Sequence, residues 1–219
     1  DAPEPIYGLV GIGVVHPDRV KRNNAAMAGD VLILGKPLGV GILSAALKKG
    51  QLSAEGYARM IEITTQLNTV GTALSELDGV HAMTDVTGFA LLGHLLEIAR
   101  GSQLSAHVHF DCVPVIEEAL RHAQAGVATG AAERNWVSYG EDVDVGAEVA
   151  EWQRALLCDP QTSGVAFFEG HGVSVGVWEC TPGGWAITDR PDTETMMLLA
   201  GAVTITPAEP ATLELALVG

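Results

Sequence analysis

The sequence is poor in cysteine and has no long apolar run, and each shortage excludes a class of protein. Its three cysteines (Cys112, Cys158 and Cys180) are far apart and form no CxxC pair. This spacing argues against a disulfide framework or a thiolate zinc site and fits a reducing cytoplasm. No apolar run approaches the ~18 residues that cross a bilayer, and no charged-then-apolar signal peptide opens the chain. We therefore expect a cytoplasmic protein with no membrane partner.

Positive charge is also scarce. Lys and Arg number 12 against 27 Asp and Glu, so the formal net charge is −15. An acidic surface repels phosphate backbones, which argues against nucleic-acid binding unless one face carries a basic patch. Of the 219 residues 47% are hydrophobic and 18% charged, which is enough apolar material to bury the core of one large domain or two small ones.

Complete nucleotide-binding loops are missing as well. The pairs Gly11-x-Gly13 and Gly39-x-Gly41 lack the third glycine of a dinucleotide turn, since position 16 is His and position 44 is Ser. The phosphate-loop pattern GxxxxGK[ST] occurs nowhere. Tight packing and turn geometry explain these glycines better than a nucleotide does.

Short apolar runs interleave with helical periodicity in an uneven order. This pattern predicts an α+β domain rather than a doubly wound parallel sheet. The strands are predicted at Ile6–Val15, Val31–Leu34, His81–Asp85, Ala106–Phe110, Val165–Phe168 and Ala202–Thr206. The helices are predicted at Gly41–Lys49, from Ser53 towards Glu76, and at Gly88–Arg100, Val115–Ala125 and Asp142–Leu157, with a loop over Ala128–Gly140 and a short apolar run at Met196–Gly201.

The segment Thr84–Gly88 (TDVTG) is the most informative motif. A strand ends at Asp85 and a helix begins at once, so backbone N–H groups and a positive helix end face outward, where phosphate oxygens bind well. A carboxylate beside such a corner can hold Mg²⁺, which prefers oxygen ligands shared with substrate phosphates. The alternative is that Asp85 or Thr87 simply caps the helix.

For the other polar groups a structural explanation stands beside the functional one. His94 and Glu97, three positions apart on a helix, could contribute to a metal site, but a hydrogen bond on the helix surface explains them better. The histidines His107, His109 and His122 form no metal spacing. Cys158 has no histidine near it in sequence, which indicates an inert, partly buried thiol. Residues 159–164 (DPQTSG) form a dense polar turn that could serve a ligand or be only a turn.

Taken in order, five segments resemble the selenophosphate synthetase (selenide, water dikinase) family. They are DAPEPIYGLVGIGVV, GDVLILGKPLGVGIL, MTDVTGFALLGHLLEIA, AAERNWVSYG and LLCDPQTSG. The resemblance is dense from Asp1 to about Ala166 and resumes weakly at VTITPAEP. The pairing of MTDVTGF with DPQTSG is the specific part of it.

The resemblance implies a fold and a reaction. The fold would be that of the aminoimidazole ribonucleotide synthetase superfamily, with residues 1–24 as the last strand and connection of the N-terminal ATP-binding half and residues 25–219 as the C-terminal α+β domain, a mixed sheet packed with helices. The reaction would convert ATP, selenide and water to selenophosphate, AMP and phosphate with Mg²⁺. The full-length enzyme would be a homodimer whose partners are selenide and ATP.

The resemblance carries a metal role to Asp85, which matches the Mg²⁺-binding aspartate of the family motif. Thr84, Thr87 and Gly88 would frame the same phosphate and metal site. The family's N-terminal segment with its reactive Cys or selenocysteine has no counterpart in this sequence. We therefore identify no catalytic nucleophile, and we expect this chain alone to be inactive.

The sequence departs from the family at three places. Ala90 and Val165 stand where the family has glycine, which would require backbone adjustment if those glycines have positive φ. Residues 170–192 show no family pattern, and the expected amphipathic helix is absent. Two other functions remain open: another ATP-dependent enzyme of the same superfamily, such as a cyclo-ligase, a thiamine-phosphate kinase or a hydrogenase-maturation protein, or a non-catalytic module that binds a partner.

Overall fold

The computed structural model describes residues 12–170, 202–207 and 213–216. Within these residues seven strands form one sheet: β1 Val31–Leu34, β2 Val80–Val86, β3 Leu104–His109, β4 Val143–Val145, β5 Gly164–Glu169, β6 Ala202–Pro207 and β7 Leu213–Ala216. The helices are α1 Val40–Lys48, α2 Ala54–Thr65, α3 Val70–Ser75, α4 Ala90–Ser102, α5 Glu117–Gln124, α6 Gly130–Tyr139 and α7 Glu151–Leu157.

The sheet is mixed, and its spatial order is β2-β5-β1-β6-β3-β7-β4. Strand β5 pairs antiparallel with both β1 and β2, while β7 pairs parallel with both β3 and β4. Strand β6 lies antiparallel between β1 and β3 and so joins the two halves of the sheet. A mixed sheet packed with helices confirms the expected α+β class.

Alternate side chains along the strands belong to two apolar clusters, one on each face of the sheet. Leu32, Leu34 and Phe168 belong to the large cluster, which the helices other than α3 cover. Ile33 and Phe167, their neighbours in sequence, join a smaller cluster that includes Leu74 of α3. Strands β1 and β5 are buried on both faces, which explains why they read as continuous apolar runs.

Strand β1 matches its predicted bounds, and β2, β3, β5, β6, α1, α4 and α5 lie within two residues of theirs. The predicted strand Ile6–Val15 is wrong at Ile12–Val15, which have no strand structure and are exposed. Its first part, like the apolar run Met196–Gly201, lies outside the described residues.

The single helix predicted from Ser53 towards Glu76 is two helices, α2 and α3. The break follows two threonines whose hydroxyl groups donate hydrogen bonds to backbone carbonyls one turn earlier. Thr64 donates to Met60 at 2.8 Å, and Thr65 donates to Ile61 at 2.7 Å. Such bonds compete with regular helix, and Gln66 then turns to extended backbone. The chain leaves the helix at this point.

Two further predictions are wrong. The expected loop at Ala128–Gly140 contains helix α6, which Thr129 caps by accepting the N–H of Ala132 at 3.0 Å. The helix predicted over Asp142–Leu157 begins only at Glu151, because Val143–Val145 pair with β7 instead. That pairing partner lies far along the chain, so local periodicity could not indicate it.

Candidate functional site

Strands β1 and β2 run in the same direction on either side of β5, so both end where β5 begins. The Thr84–Gly88 segment leaves β2 at this edge, the DPQTSG turn enters β5 there, and Lys36 follows β1. The two motifs singled out in the sequence therefore meet, together with a lysine that sequence reasoning did not identify.

Asp85 lies near the end of β2 and its side chain is exposed. The Thr87 hydroxyl approaches one carboxylate oxygen of Asp85 at 3.4 Å. Thr84 is half-buried in the same strand, and Gly88 is exposed in the loop before α4 with open space on its Cβ side. The four predicted site residues thus lie together at the end of β2 and at the start of the loop that follows it, with a carboxylate open to solvent.

His94 of α4 lies beneath this loop and is buried. Its Nε2 accepts the backbone N–H of Thr87 at 3.1 Å and lies 3.3 Å from the Thr87 hydroxyl. Glu97 points elsewhere and accepts a hydrogen bond from Asn23 at 2.8 Å. The pair is therefore no metal site, and His94 bonds to the loop rather than along the helix surface.

The DPQTSG turn holds the start of α1. The Gln161 side-chain oxygen accepts the N–H groups of Gly39 and Val40 at 3.1 and 3.2 Å, which replaces a local cap because Gly39 has none. The backbone N–H of Gln161 donates to the Thr87 carbonyl at 2.9 Å. The turn is structural on one side and bonded to the candidate site on the other.

Asp159 is buried beside Gln161 and accepts the N–H of Ile42 at 3.1 Å. Burial raises its pKa to about 7, against the opposing effect of hydrogen bonds from Ile42, Gln161, Gly41 and Thr129. A Cβ on Gly41 would lie 2.4 Å from Asp159 Oδ1, and one on Gly39 would lie 2.3 Å from the Ala119 Cβ. Packing therefore explains Gly39-x-Gly41, as predicted.

Asn135 of α6 joins the two motifs. Its side-chain nitrogen donates to the carbonyl oxygens of Gly88 at 2.9 Å and Cys158 at 3.1 Å. The side chain is buried, and its bond to the Cys158 carbonyl is shielded from water. A buried asparagine inside a stretch that reads as a loop is the signal that could have revealed this role.

Lys36 anchors the end of the turn. Its buried ammonium group donates to the Gln66 carbonyl at 2.6 Å and to the carbonyl and hydroxyl oxygens of Ser163 at 2.7 and 3.0 Å. Burial lowers the pKa of Lys36. Asn68 adds a hydrogen bond to the Ser163 carbonyl at 3.1 Å.

The departures from the family glycines differ in consequence. Ala90 has φ +63° at the first residue of α4, in the left-handed region that favours glycine. Val165 has no positive φ and pairs with Asp85 as an ordinary strand residue. The expected strain is present at Ala90 alone.

The buried thiol of Cys158 fits the inert role predicted for it, since burial raises its pKa to about 11. Within the described residues no group of three or more His, Cys, Asp or Glu side chains could hold a metal ion. Asp85 with the Thr87 hydroxyl offers a partial oxygen site, and Mg²⁺ is commonly bound by one or two carboxylates with substrate phosphates completing its shell. The donor set therefore fits Mg²⁺ as one part of a larger site.

A family model described as AIR synthase related protein, C-terminal domain, matches residues 27–155, more than half of the chain. The chain belongs to this family. The match contains Lys36, α6 with Asn135 and the stretch from Asp85 to His94, and it ends before the DPQTSG turn, so the matched region of this AIR synthase related domain carries most of the candidate site.

Curated relatives of this AIR synthase related chain are named selenide, water dikinase. Those from Burkholderia orbicola and Paraburkholderia xenovorans are 61% and 62% identical over 164 residues, and that from Rhizobium meliloti is 52% identical. The matched stretch is 75% of this chain and 46 to 47% of each relative. The expected resemblance is confirmed, and the chain spans about half the length of these relatives.

Solved structures confirm the fold. A thiamine-monophosphate kinase from Stenotrophomonas maltophilia superposes with a TM-score of 0.54 at 17% identity, covering 92% of this chain and 54% of the other. The thiamine monophosphate kinase of Aquifex aeolicus gives 0.50 at 10% identity, covering 89% and 52%. At such identities these neighbours support the AIR synthase-like architecture alone.

A second family model, described as a EutQ-like cupin domain, matches residues 169–216. It begins where the resemblance to the dikinases fades and covers residues 170–192, in which the sequence shows no dikinase pattern. Strands β6 and β7 of the AIR synthase related sheet lie inside this cupin match. In the described residues no helix is both long and apolar enough to span a membrane.

Proposed function

We propose that this chain is the C-terminal portion of a selenide, water dikinase. Joined to its ATP-binding half, it would take part in converting selenide, ATP and water to selenophosphate, AMP and phosphate. The observation that carries this proposal is the meeting of the TDVTGF and DPQTSG segments around Asp85, in a chain of which 164 residues are 61% identical to a relative of that name.

In this proposal Asp85 is one ligand of Mg²⁺, and Thr84, Thr87 and Gly88 frame the phosphates beside it. The exposed carboxylate and the open space at Gly88 support an approach of phosphate and metal from solvent. Mg²⁺ would supply charge neutralisation as phosphoryl bonds break. The Thr87 amide is bonded to His94, so its contribution to a phosphate would come from the hydroxyl.

The organisation and partners follow from the same proposal. Residues 1–24 would end the ATP-binding half, and the boundary near residue 25 is supported by the start of the family match at residue 27. ATP and selenide would be the substrates, and the complete enzyme would be a cytoplasmic homodimer. The net charge of −15 supports a metal requirement for holding ATP, because bare phosphates would be repelled.

Phosphorus NMR of ATP, Mg²⁺ and selenide tests the proposal directly. The chain would be assayed alone and joined to the segment that precedes the matched stretch in the Paraburkholderia relative. We expect selenophosphate from the joined protein and none from the chain alone. Product from neither would contradict the dikinase function.

An Asp85→Ala variant of the joined protein tests the metal role. We expect selenophosphate formation to fall by at least about a hundredfold, the scale on which removal of a group that stabilises transferring phosphates acts. The fold should be unaffected, because the side chain is exposed. Asp78→Ala removes another exposed carboxylate and should leave the rate unchanged, whereas equal rates for both variants would refute the assignment.

A non-catalytic binding module is the second candidate, and the cupin match at residues 169–216 is the observation that favours it. Under that function the joined protein would bind Mg²⁺ and ATP without forming selenophosphate. The phosphorus spectrum therefore separates the two functions. A thiamine-phosphate kinase is less well supported, because the identity to those enzymes is 17% or lower.

A further inference from the structure

Among the described residues, His94 makes its hydrogen-bond contacts with Thr87 alone, and its surroundings are otherwise apolar. The side chain is buried under the Thr84–Gly88 loop, among residues that include Leu91, Leu95 and Val86. The edge of the Phe89 ring lies against it, with ring centroids 6.3 Å apart. A polar ring placed in such surroundings must satisfy its nitrogen with a specific partner.

That partner fixes the chemical form of the ring. Nε2 accepts the backbone N–H of Thr87 at 3.1 Å, so Nε2 carries no proton. A neutral imidazole with an unprotonated Nε2 carries its proton on Nδ1. The structure therefore assigns the Nδ1–H tautomer to His94.

The same bond determines where the Thr87 hydroxyl hydrogen points. The hydroxyl oxygen lies 3.3 Å from Nε2 and 3.4 Å from the Asp85 carboxylate. Because the in-plane lone pair of Nε2 is directed at the Thr87 amide, the carboxylate is the better acceptor for the hydroxyl hydrogen. A chain of contacts thus runs from His94 through Thr87 to Asp85.

We propose that His94 is a positioning residue that sets the orientation of the Asp85 carboxylate through Thr87, and that it thereby sets the affinity of this loop for a divalent cation. His94 acts by accepting a hydrogen bond and does not touch the cation. The Thr87 carbonyl is held independently by Ala90 at 3.0 Å and Gln161 at 2.9 Å. Loss of the His94 bond would therefore release the amide and hydroxyl side of Thr87 while the rest of the loop stays in place. The inference rests on the cation role given to Asp85 in the proposed function.

The tautomer is tested first, by long-range nitrogen–proton NMR correlations of the histidine rings in the whole chain. The His94 signal is the one that disappears in a His94→Leu variant. We expect a protonated Nδ1 and an unprotonated Nε2 at neutral pH. A protonated Nε2 would overturn the proposal.

The cation affinity is tested with Mn²⁺, whose paramagnetism broadens nearby amide signals. In the joined protein, where the rest of the proposed site is present, we expect Mn²⁺ to broaden the amides of residues 85–88 first, and His94→Leu to raise the Mn²⁺ concentration required about fivefold, the factor that one ordinary hydrogen bond is worth. His94→Gln keeps an acceptor near the position of Nε2 and should restore most of the affinity.

Leu96→Ala is the matched control, since Leu96 is buried in the same helix two positions from His94, which places it on a different face of that helix. It should lower stability without changing the Mn²⁺ concentration required. An equal shift in Leu96→Ala and His94→Leu, or no preferential broadening at residues 85–88, would refute the positioning role. A joined protein that binds Mn²⁺ in this way but forms no selenophosphate would refute only the dikinase function.

Discussion

Lys36 binds Ser163 at two atoms, the carbonyl oxygen at 2.7 Å and the hydroxyl oxygen at 3.0 Å. Ser163 has φ +62°, a left-handed conformation that a non-glycine residue adopts only when its surroundings hold it. The lysine after β1 therefore fixes the turn that starts β5. The ends of β1 and β2 lie on either side of the start of β5, next to the candidate site.

Replacing Lys36 by Met should lower the free energy of unfolding by about 2 kcal/mol, because the carbonyls of Gln66 and Ser163 lose a buried donor. Urea unfolding followed by circular dichroism measures the change. Lys49→Met removes an exposed lysine and should cost no more than about 0.5 kcal/mol. Similar losses in the two variants would show that the buried contacts of Lys36 contribute nothing.

Asn135→Ala should cost about 2 kcal/mol, because the buried Asn135 amide is the donor to the carbonyls of Gly88 and Cys158 and both would lose it. Hydrogen exchange should also quicken at Gln161, whose amide bonds to the loop that Asn135 holds. The comparison is Asn23→Ala, which removes an exposed hydrogen bond to Glu97 and should leave stability nearly unchanged. Unaltered exchange at Gln161 would argue against a coupling of the two motifs.

Ala90→Gly and Ala99→Gly should differ in how much they lower the stability of the protein, although both methyl groups are buried in α4. Glycine relieves the left-handed strain at Ala90, which offsets the loss of the methyl group and the added freedom of the unfolded chain. We expect Ala99→Gly to cost at least about 1 kcal/mol more than Ala90→Gly. Thermal unfolding of the two proteins decides, and equal melting temperatures would contradict strain at Ala90.

Asp159 should make stability depend on pH. Burial raises its pKa to about 7 from an ordinary 3.8, so the folded state favours the protonated form. Its stabilising contribution is then fully present below the ordinary pKa and is lost as the pH rises through about 7. The stability of Asp159→Asn minus that of the natural chain should therefore grow between about pH 4 and pH 8. A difference independent of pH in urea titrations would contradict this.

Local patterns were sufficient for strands β1, β2, β3, β5 and β6 and for the position of Asp85. The apolar runs of β1 and of β2 are each followed directly by residues that favour a turn, so the ends of these strands can be predicted from the local sequence. The motif pair TDVTGF and DPQTSG indicated the family, and the family model matches residues 27–155. The assignment of Asp85 to a metal stays a prediction.

Helix α6 and the roles of Lys36 and Asn135 could not be predicted in the same way. In α6 the buried positions Ala132, Asn135 and Tyr139 keep helical spacing, but a polar residue occupies the middle one and hides the apolar period. From the local sequence Lys36 would be expected to be an exposed turn residue. Its hydrogen-bond acceptors are on Gln66 and Ser163, which are distant in the sequence. These roles depend on tertiary contacts that no local pattern encodes.

The cap on α1 has a consequence for the order of folding. Gln161 binds the amide of Gly39 across 122 positions of sequence, so during synthesis the first helix of this domain emerges long before its cap. Contacts between residues so far apart form late and slow folding, because conformational entropy of the intervening chain must be lost before they form. The start of α1 should therefore remain frayed on the ribosome, and it should gain its amide protection in the same kinetic step that docks the turn against Thr87.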